Sequence, residues 1–327
     1  MSNFPKFKVD DYPKLFIEET DKELPKKIDP NLRYAYFKTI AKGGKSLIQS
    51  CRDMHLNRVI CYKSLLPEHA DDPIEQKRLL REARVSAMLQ HPNTMPTYEL
   101  GRNKKGHYYF TMKLVHGYTL REVFDYRERY DINQLIDIII QVAHALDYAH
   151  THGVVHRDIK PENILVGPFG EVLLLDWGLA KVWSEDEGLK EIDSDFAEDQ
   201  GSHTQKESTK DPSMTGFQKL QGTVSYMSPE QVKKSATLDH RSDIYSLGVI
   251  LYEAVCGETV TNADMLNKAL DQTLHKIPTP MSDILGAPVN KFLDEIIMKC
   301  LQKEPNNRIE TASKLIRLLQ MQSNWSA

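Results

Sequence analysis

The sequence predicts an α+β fold in which a β-rich part with one helix precedes a larger, mainly helical part. In residues 34–115, runs of aromatic and β-branched residues favour short strands, and a single helical pattern interrupts them. In residues 116–322, apolar residues recur at helical spacing over longer stretches. The chain of 327 residues is 40% hydrophobic and 27% charged, which is enough apolar material for one large domain or two.

Charge and apolar runs argue against several classes of protein. A formal net charge of −4 gives no reason to expect binding to nucleic acid or to an anionic membrane. The longest uncharged apolar run, Ile138–Leu146, is far shorter than the roughly 20 residues of a membrane-spanning helix. Residues 1–14 lack the apolar segment of a signal peptide. We therefore expect a cytoplasmic protein with reduced, widely spaced cysteines, and the sequence leaves its oligomeric state open.

The first part of the chain holds an extension, three predicted strands and a helix. Residues 1–33 are rich in Lys, Asp, Glu and Pro, and we expect an N-terminal extension outside the fold. A helix is predicted over Asp72–Gln90, because Asp71 or Asp72 can cap it and Pro73 suits its first turn. The predicted strands are Arg33–Ile40, Arg58–Lys63 and Tyr108–Met112.

The second part begins with a strongly periodic core helix, Asn133–His150. A hairpin follows, with strands Ile164–Val166 and Val172–Leu175 around a Gly-Pro-Phe-Gly turn. Further helices are predicted over residues 242–256 and 311–322. These elements place the stretch 156–163 on a loop directly after the core helix.

That loop reads His-Arg-Asp-Ile-Lys-Pro-Glu-Asn and carries the residue types that phosphoryl transfer requires. Asp158 can accept the proton of an attacking hydroxyl, Lys160 can hold the transferring phosphate, and Asn163 can bind magnesium. The loop resembles the catalytic loop of the protein kinases, and Lys160 with Pro161-Glu162 resembles the serine/threonine version. The chain is therefore identified as similar to the bacterial, eukaryotic-like (Hanks-type) serine/threonine kinases.

The resemblance implies a two-lobed protein-kinase fold over residues 34–322. It places a small β-sheet lobe with one helix at 34–115 and a larger, mainly helical lobe at 116–322. It also implies ATP and Mg²⁺ as cofactors, and proteins with Ser or Thr acceptors as substrates.

Further motifs extend the resemblance to the nucleotide site. Lys63 stands in the place of the lysine that holds the α- and β-phosphates, and Glu82 matches the glutamate that pairs with it. Asp176, in Asp176-Trp177-Gly178, resembles the DFG aspartate and would bind magnesium together with Asn163. Trp177 replaces the usual Phe, as in a subset of bacterial kinases.

The glycine-rich loop departs from the family pattern. Ala41 and Ser46 stand where the first and third glycines are expected, and only Gly43 remains at the second. Gly44-Lys45-Ser46 also resembles part of a Walker A loop, but Thr39 stands where that motif needs a glycine. We expect Gly43 and Ser46 to cover the ATP phosphates with reduced affinity.

The resemblance also assigns the adenine pocket. It places Met112 at the back of the pocket, and the backbone of Lys113–Val115 would hydrogen-bond adenine. The individual side chains there carry little information, because backbone groups make the contact.

Residues 184–215 form an acidic and then polar insertion in the activation segment. The stretch 185–199 has eight acidic residues and one lysine, too little apolar surface to offset the entropy of ordering, so a mobile insertion is predicted. The resemblance implies autophosphorylation near Thr215, with Arg157 as the residue that binds the phosphate. It also implies scaffold roles for Asp243 and for a Glu230–Arg308 pair.

Three functions are compatible with these motifs. An active protein kinase is favoured by the complete set Lys63, Glu82, Asp158, Lys160, Asn163 and Asp176. A pseudokinase that serves as a binding module is favoured by the eroded glycine loop. A small-molecule kinase is disfavoured by Thr223–Glu230, because that segment resembles the peptide-binding surface of protein kinases.

Overall fold

The computed structural model of the chain describes residues 32–182, 224–235, 238–261 and 265–323. They form two compact units. The small unit runs to Gly117 and includes Gly167–Glu171 and Leu175–Leu179, and the large unit holds the remaining residues. The predicted α+β class, with one β-rich part and one mainly helical part, is confirmed.

An antiparallel sheet of five strands dominates the small unit. The strands lie in the order β1-β2-β3-β5-β4, so β3 is central. This position matters because Lys63 lies on β3, opposite Phe110 of β5. The strands are β1 (Tyr34–Lys42), β2 (Ser46–Asp53), β3 (Arg58–Leu65), β4 (Thr97–Arg102) and β5 (Tyr108–Met112).

Helix α1 (Pro73–Met88) packs on one face of this sheet. Asp72 caps it, accepting a hydrogen bond from the Ile74 amide at 2.9 Å, as one of the two predicted caps. Leu79 and Ala83 of α1 form a buried cluster with Phe110. Because Glu82 precedes Ala83, this packing also fixes Glu82 beside the central strand.

The large unit is built around two long helices, α3 and α5, whose apolar side chains are almost all buried. Asp131 and Gln134 form a capping box at the start of α3. Its helices are α2 (Leu120–Asp125), α3 (Ile132–Thr151), α4 (Pro229–Val232), α5 (Arg241–Cys256), α6 (Leu266–His275), α7 (Met281–Leu285), α8 (Lys291–Cys300) and α9 (Ala312–Ser323). Its short strands are β6 (Tyr118–Thr119), β7 (Val154–Val155), β8 (Ile164–Val166), β9 (Val172–Leu174) and β10 (Lys181–Val182).

The predicted elements agree with the observed ones to within a few residues. The largest differences are of two residues, at the ends of β1, β3 and α1; strand β1 runs to Lys42 rather than ending at Ile40. Register irregularities after Ala35 and after Thr39 interrupt the alternation of side chains from which strands are predicted. In the part of the chain that the structure describes, no helix has the length and apolarity needed to cross a membrane.

Candidate active site

In the small unit, Lys63 and Glu82 form a buried ion pair. Lys63 Nζ lies 2.6 Å from Glu82 Oε1 and 2.7 Å from Oε2, and the two residues are 9% and 8% exposed. Strand β3 supplies the lysine and helix α1 the glutamate. The pair therefore links the central strand to the helix on its face.

The surroundings of this pair include a second carboxylate, that of Asp176. Burial lowers the pKa of Lys63, but the Glu82 and Asp176 carboxylates outweigh burial, and the pKa lies above its ordinary value. Burial raises the pKa of Glu82 to about 7, because loss of hydration outweighs the attraction of Lys63, and the charge of Asp176 adds to the rise. A single ammonium group thus faces two acids.

Asp176 has a left-handed backbone conformation, with φ of 62°. Its Oδ1 accepts a hydrogen bond from the Gly178 amide at 3.3 Å, which closes the turn of the Asp-Trp-Gly motif. Trp177 is fully buried, at 0% exposure. The turn and the buried ring therefore hold Asp176 in one conformation in the small unit, and Trp177 packs in the core.

The sequence-predicted glycine loop is a tight turn between β1 and β2. The Gly43 amide donates to the Ser46 carbonyl at 2.8 Å, and Ala41 is paired with Ile48 across the strands. A Cβ at Gly43 would lie 3.3 Å from Ser46 Oγ, so the remaining glycine occupies a close approach. The turn is thus formed although the first and third glycines of the pattern are missing.

Met112 ends strand β5, and Lys113 follows it. Met112 packs against the cluster of Leu79 and Phe110. The Lys113 amide donates to the Pro96 carbonyl at 3.0 Å. The Lys113 amide is therefore already paired within the chain, and the backbone donor to adenine that the sequence analysis predicts would have to be another amide, such as that of Val115.

In the large unit, the catalytic-loop residues converge on Asp158. Lys160 Nζ donates to both carboxylate oxygens of Asp158, at 2.9 and 2.8 Å. Asn163 Nδ2 donates to Asp158 Oδ2 and to its backbone carbonyl, each at 2.9 Å. Because the Asn163 amide uses its nitrogen on Asp158, its oxygen remains as a group that can bind a cation.

The backbone of this loop is held by Asp243 of helix α5, which is 0% exposed. Asp243 accepts hydrogen bonds from the amides of His156 and Arg157 and contacts His150 Nε2, each at 2.9 Å. Burial alone would raise the pKa of Asp243, but its bond to His150 and the nearby His156 hold it below its ordinary value. Gln231 of helix α4 also holds the backbone of this loop, by donating a hydrogen bond to the Arg157 carbonyl at 2.7 Å.

Arg157 itself has φ of 69°, a left-handed conformation that costs free energy in a residue other than glycine. It is stabilised by two hydrogen bonds, one that its amide donates to Asp243 and one that its carbonyl accepts from Gln231. The loop is thus a strained backbone segment supported from two helices.

A family model of the protein kinase domain matches residues 34–319. This chain belongs to the protein kinase domain family. It is 30% identical to serine/threonine-protein kinase PknD of Chlamydia pneumoniae over 86% of this chain and 30% of the relative. It is 32% identical to PknD of Protochlamydia amoebophila over 89% of this chain and 30% of the relative. It is also 32% identical to PknB of Mycolicibacterium smegmatis over 86% of this chain and 42% of the relative.

The comparisons confirm the predicted resemblance to bacterial serine/threonine kinases and the two-lobed kinase fold. The chain spans 30% to 42% of the length of these three relatives. The likeness therefore covers the kinase domain and not the remainder of those proteins.

The large unit of the kinase domain contains a second buried ion pair, Glu230 with Arg308. Arg308 Nη1 and Nη2 lie 2.6 and 2.7 Å from the two carboxylate oxygens, and Ser242 Oγ donates at 2.7 Å. Burial would raise the pKa of Glu230, but the Arg308 guanidinium outweighs it and the pKa lies below its ordinary value. The pair joins α4 to the segment before α9.

Arg121 of α2 is a residue of this kinase domain that the sequence analysis did not single out. Its Nε lies 3.0 Å from Glu162 in the catalytic loop, and its Nη1 lies 2.6 Å from Glu253 of α5. It also donates to the Tyr226 hydroxyl. One guanidinium thus connects three segments. No spacing rule indicates it, because its partners lie 41 to 132 residues away.

Several predictions fall outside the described residues. These are the N-terminal extension 1–33 apart from its last two residues, the whole insertion 184–215 with its acidic run 185–199, the acceptor at Thr215, and Thr223. They stay predictions of the sequence.

Proposed function

We propose that this chain transfers the γ-phosphoryl group of ATP to Ser and Thr hydroxyls of protein substrates. The observation that carries the proposal is the geometry around Asp158, whose carboxylate is held by Lys160 at 2.9 and 2.8 Å and by Asn163 at 2.9 Å. In phosphoryl transfer the protein contributes mainly positioning and electrostatic stabilisation. The printed names of the relatives, serine/threonine-protein kinases, support the same substrate class.

Asp158 accepts the proton of the attacking hydroxyl in this proposal. Lys160 orients the Asp158 carboxylate and offers a positive charge to the transferring group. Asn163 is oriented by Asp158 so that its amide oxygen is available as a magnesium ligand. Hydrogen bonds within one loop support all three proposed roles.

In the small unit, Lys63 binds the α- and β-phosphates and Glu82 orients it. Asp176 is the second proposed magnesium ligand, and a carboxylate with an amide oxygen forms the hard oxygen set that Mg²⁺ prefers. The ion would neutralise negative charge that develops on the phosphate oxygens. Gly43 and Ser46 cover the phosphates, and Met112, Lys113 and Val115 form the adenine pocket.

We also propose that the protein acts in the cytoplasm, where ATP is present and thiols stay reduced. All four cysteines, which lie in the described residues, are free. A net charge of −4 supports protein rather than nucleic acid as the partner.

The proposal is tested with Asp158→Asn and Asp176→Asn, incubated with labelled ATP and a generic basic protein. Each substitution is expected to lower transfer by at least about a hundredfold, because a positioned base or a metal ligand is lost. Only Asp176→Asn should weaken magnesium-dependent ATP binding in calorimetry. Asp271→Asn, an exposed carboxylate on α6, is the control and should retain full transfer.

Near-normal turnover by either variant would contradict the assignment of roles. Absence of label with the unchanged protein would favour the pseudokinase function. Consumption of ATP only in the presence of a metabolite would favour a small-molecule kinase.

A further inference from the structure

The turn between β1 and β2 is bonded to its surroundings through Lys45. The Lys45 carbonyl accepts a hydrogen bond from the Leu66 amide at 2.9 Å, just after strand β3. Within the turn, the Gly43 amide donates to the Ser46 carbonyl at 2.8 Å. The backbone of the turn is therefore anchored at its tip as well as closed across its base.

The side chain of Lys45 makes a second connection, to helix α1. Lys45 Nζ lies 2.7 Å from Glu75 Oε1, and Arg78 Nη1 lies 3.0 Å from the same oxygen. The Glu75 side chain is 8% exposed, whereas that of Lys45 is 36% exposed. A buried carboxylate in the first turn of the helix thus holds the lysine from the tip of the turn.

Glu75 and Glu82 are seven residues apart on α1, which is close to two turns of an α-helix. They therefore project from the same side of the helix. Glu75 holds Lys45 of the β1–β2 turn, and Glu82 holds Lys63 of the central strand. One helix is consequently paired, through two carboxylates, with two lysines from different parts of the proposed nucleotide site.

We propose that Lys45 and Glu75 are positioning residues that hold the β1–β2 turn against helix α1 and so pre-organise it to cover the ATP phosphates. This inference rests on the proposed function. A turn already ordered before ligand arrives loses less conformational entropy on binding, which favours affinity. The tether thereby offsets the loss of the two glycines at Ala41 and Ser46. The tether also gives Lys45 a role at the tip of the turn that does not depend on a Walker A loop.

The tether is tested by calorimetry with Lys45→Met, Glu75→Gln and the double variant, each titrated with ATP and with adenosine. Each single substitution is expected to weaken ATP binding about three- to fivefold, the range of a partly exposed ion pair. The double variant should be no weaker than the singles, because both changes remove one interaction. Adenosine binding should stay unchanged, since adenosine has no phosphates under the turn.

A second measurement does not depend on nucleotide. In the ligand-free protein, the amides of residues 43–46 should exchange hydrogen faster in all three variants than in the unchanged chain. Lys38→Met, on the exposed part of β1, is the matched control and should change neither measurement.

Two outcomes would overturn the inference. If Lys45→Met weakens ATP binding further in the Glu75→Gln background, Lys45 contacts the phosphates directly and is not a tether. If amide exchange at residues 43–46 is as slow in the three variants as in the unchanged chain, the ion pair does not order the turn. Failure of the unchanged chain to bind ATP would instead contradict the proposed function, and amide exchange would still decide the question of the tether.

Discussion

The two buried glutamate pairs of this kinase domain have nearly the same distances but opposite electrostatics. Glu82 meets Lys63 at 2.6 and 2.7 Å, and Glu230 meets Arg308 at 2.6 and 2.7 Å. Yet the pKa of Glu82 is raised to about 7 and that of Glu230 is lowered. Distance alone therefore does not determine how firmly a buried charge is held.

The partners explain the difference. Arg308 offers a planar fork that matches both carboxylate oxygens, and Ser242 adds a hydroxyl donor. Lys63 is a point charge that interacts with both Glu82 and Asp176, and the Asp176 carboxylate repels that of Glu82. The Glu230 carboxylate in the large unit thus accepts hydrogen bonds from three donor atoms, which suits a residue that holds the fold together. In the small unit, the raised pKa of Glu82 brings its protonated and ionised forms close in free energy near neutral pH, which suits the proposed role of Lys63 in binding phosphates.

The largest expected effect comes from Arg308→Met, which leaves the Glu230 carboxylate buried without its cation. We expect it to lower the free energy of unfolding by about 3–5 kcal/mol. Urea denaturation followed by fluorescence and circular dichroism measures this change. Arg317→Met, an exposed position on α9, is the control and should cost less than about 0.5 kcal/mol. A loss below about 1 kcal/mol at Arg308 would show that the pair is not a scaffold.

A matched pair of substitutions, Glu230→Gln and Glu82→Gln, compares the two sites directly at pH 7. Glutamine resembles a protonated glutamate, which the Glu230 site disfavours and the Glu82 site nearly tolerates. We expect the free energy of unfolding to fall by roughly 2–3 kcal/mol for Glu230→Gln and by under about 1 kcal/mol for Glu82→Gln. Chemical denaturation of both variants at pH 7 measures the two losses. Equal losses would mean that the two carboxylates are equally stabilised as anions.

The pH dependence of the melting temperature should have opposite signs at the two sites. The folded-state pKa of Glu82 is raised from 4.5, so its contribution is present at low pH and is lost as pH rises through about 7. The pKa of Glu230 is lowered, so its contribution is present above 4.5 and is lost as pH falls through the folded-state value. Glu82→Gln should flatten the dependence of the melting temperature on pH between about pH 5 and 7. Glu230→Gln should flatten the same dependence below about pH 4.5. Unchanged profiles would contradict the assignment.

Within the Glu230 site, the smallest expected effect is that of Ser242→Ala, which removes one hydroxyl donor from Glu230 but leaves the Arg308 fork. A loss of about 1 kcal/mol in unfolding free energy is expected, the typical contribution of one hydrogen bond. Thermal and urea denaturation measure it. A loss as large as that of Arg308→Met would show that the hydroxyl, and not the fork, holds the carboxylate.

The sequence predicts best where one residue type at a fixed spacing carries the information. Asp72 and Pro73 indicate the start of α1, and the structure places the helix at Pro73–Met88. The predicted Lys63–Glu82 and Glu230–Arg308 pairs are both present as ion pairs. The roles of the catalytic-loop residues stay proposals, although Asp158, Lys160 and Asn163 lie together within one loop.

Side chains that meet across long stretches of sequence were not predictable where no family motif marks them. Arg121 contacts Glu253 at a separation of 132 residues, and no local pattern marks either residue. Lys45 and Glu75 are ordinary charged residues until the sheet and α1 bring them together. Strands β2 and β4 were also missed, because register irregularities interrupt the pairing of each with its neighbour and alternation there is weak.

The contact of Asp243 with the catalytic loop has a consequence for the order of folding. Asp243 is separated in sequence from His156 and Arg157 by 87 and 86 residues, so their bonds close a long loop of chain. Contacts of such separation form late, since their entropic cost precedes their gain. We therefore expect the left-handed backbone of Arg157 to gain its support only after α5 has docked. During synthesis, the catalytic loop should then lack this support until residues up to Cys256 have left the ribosome.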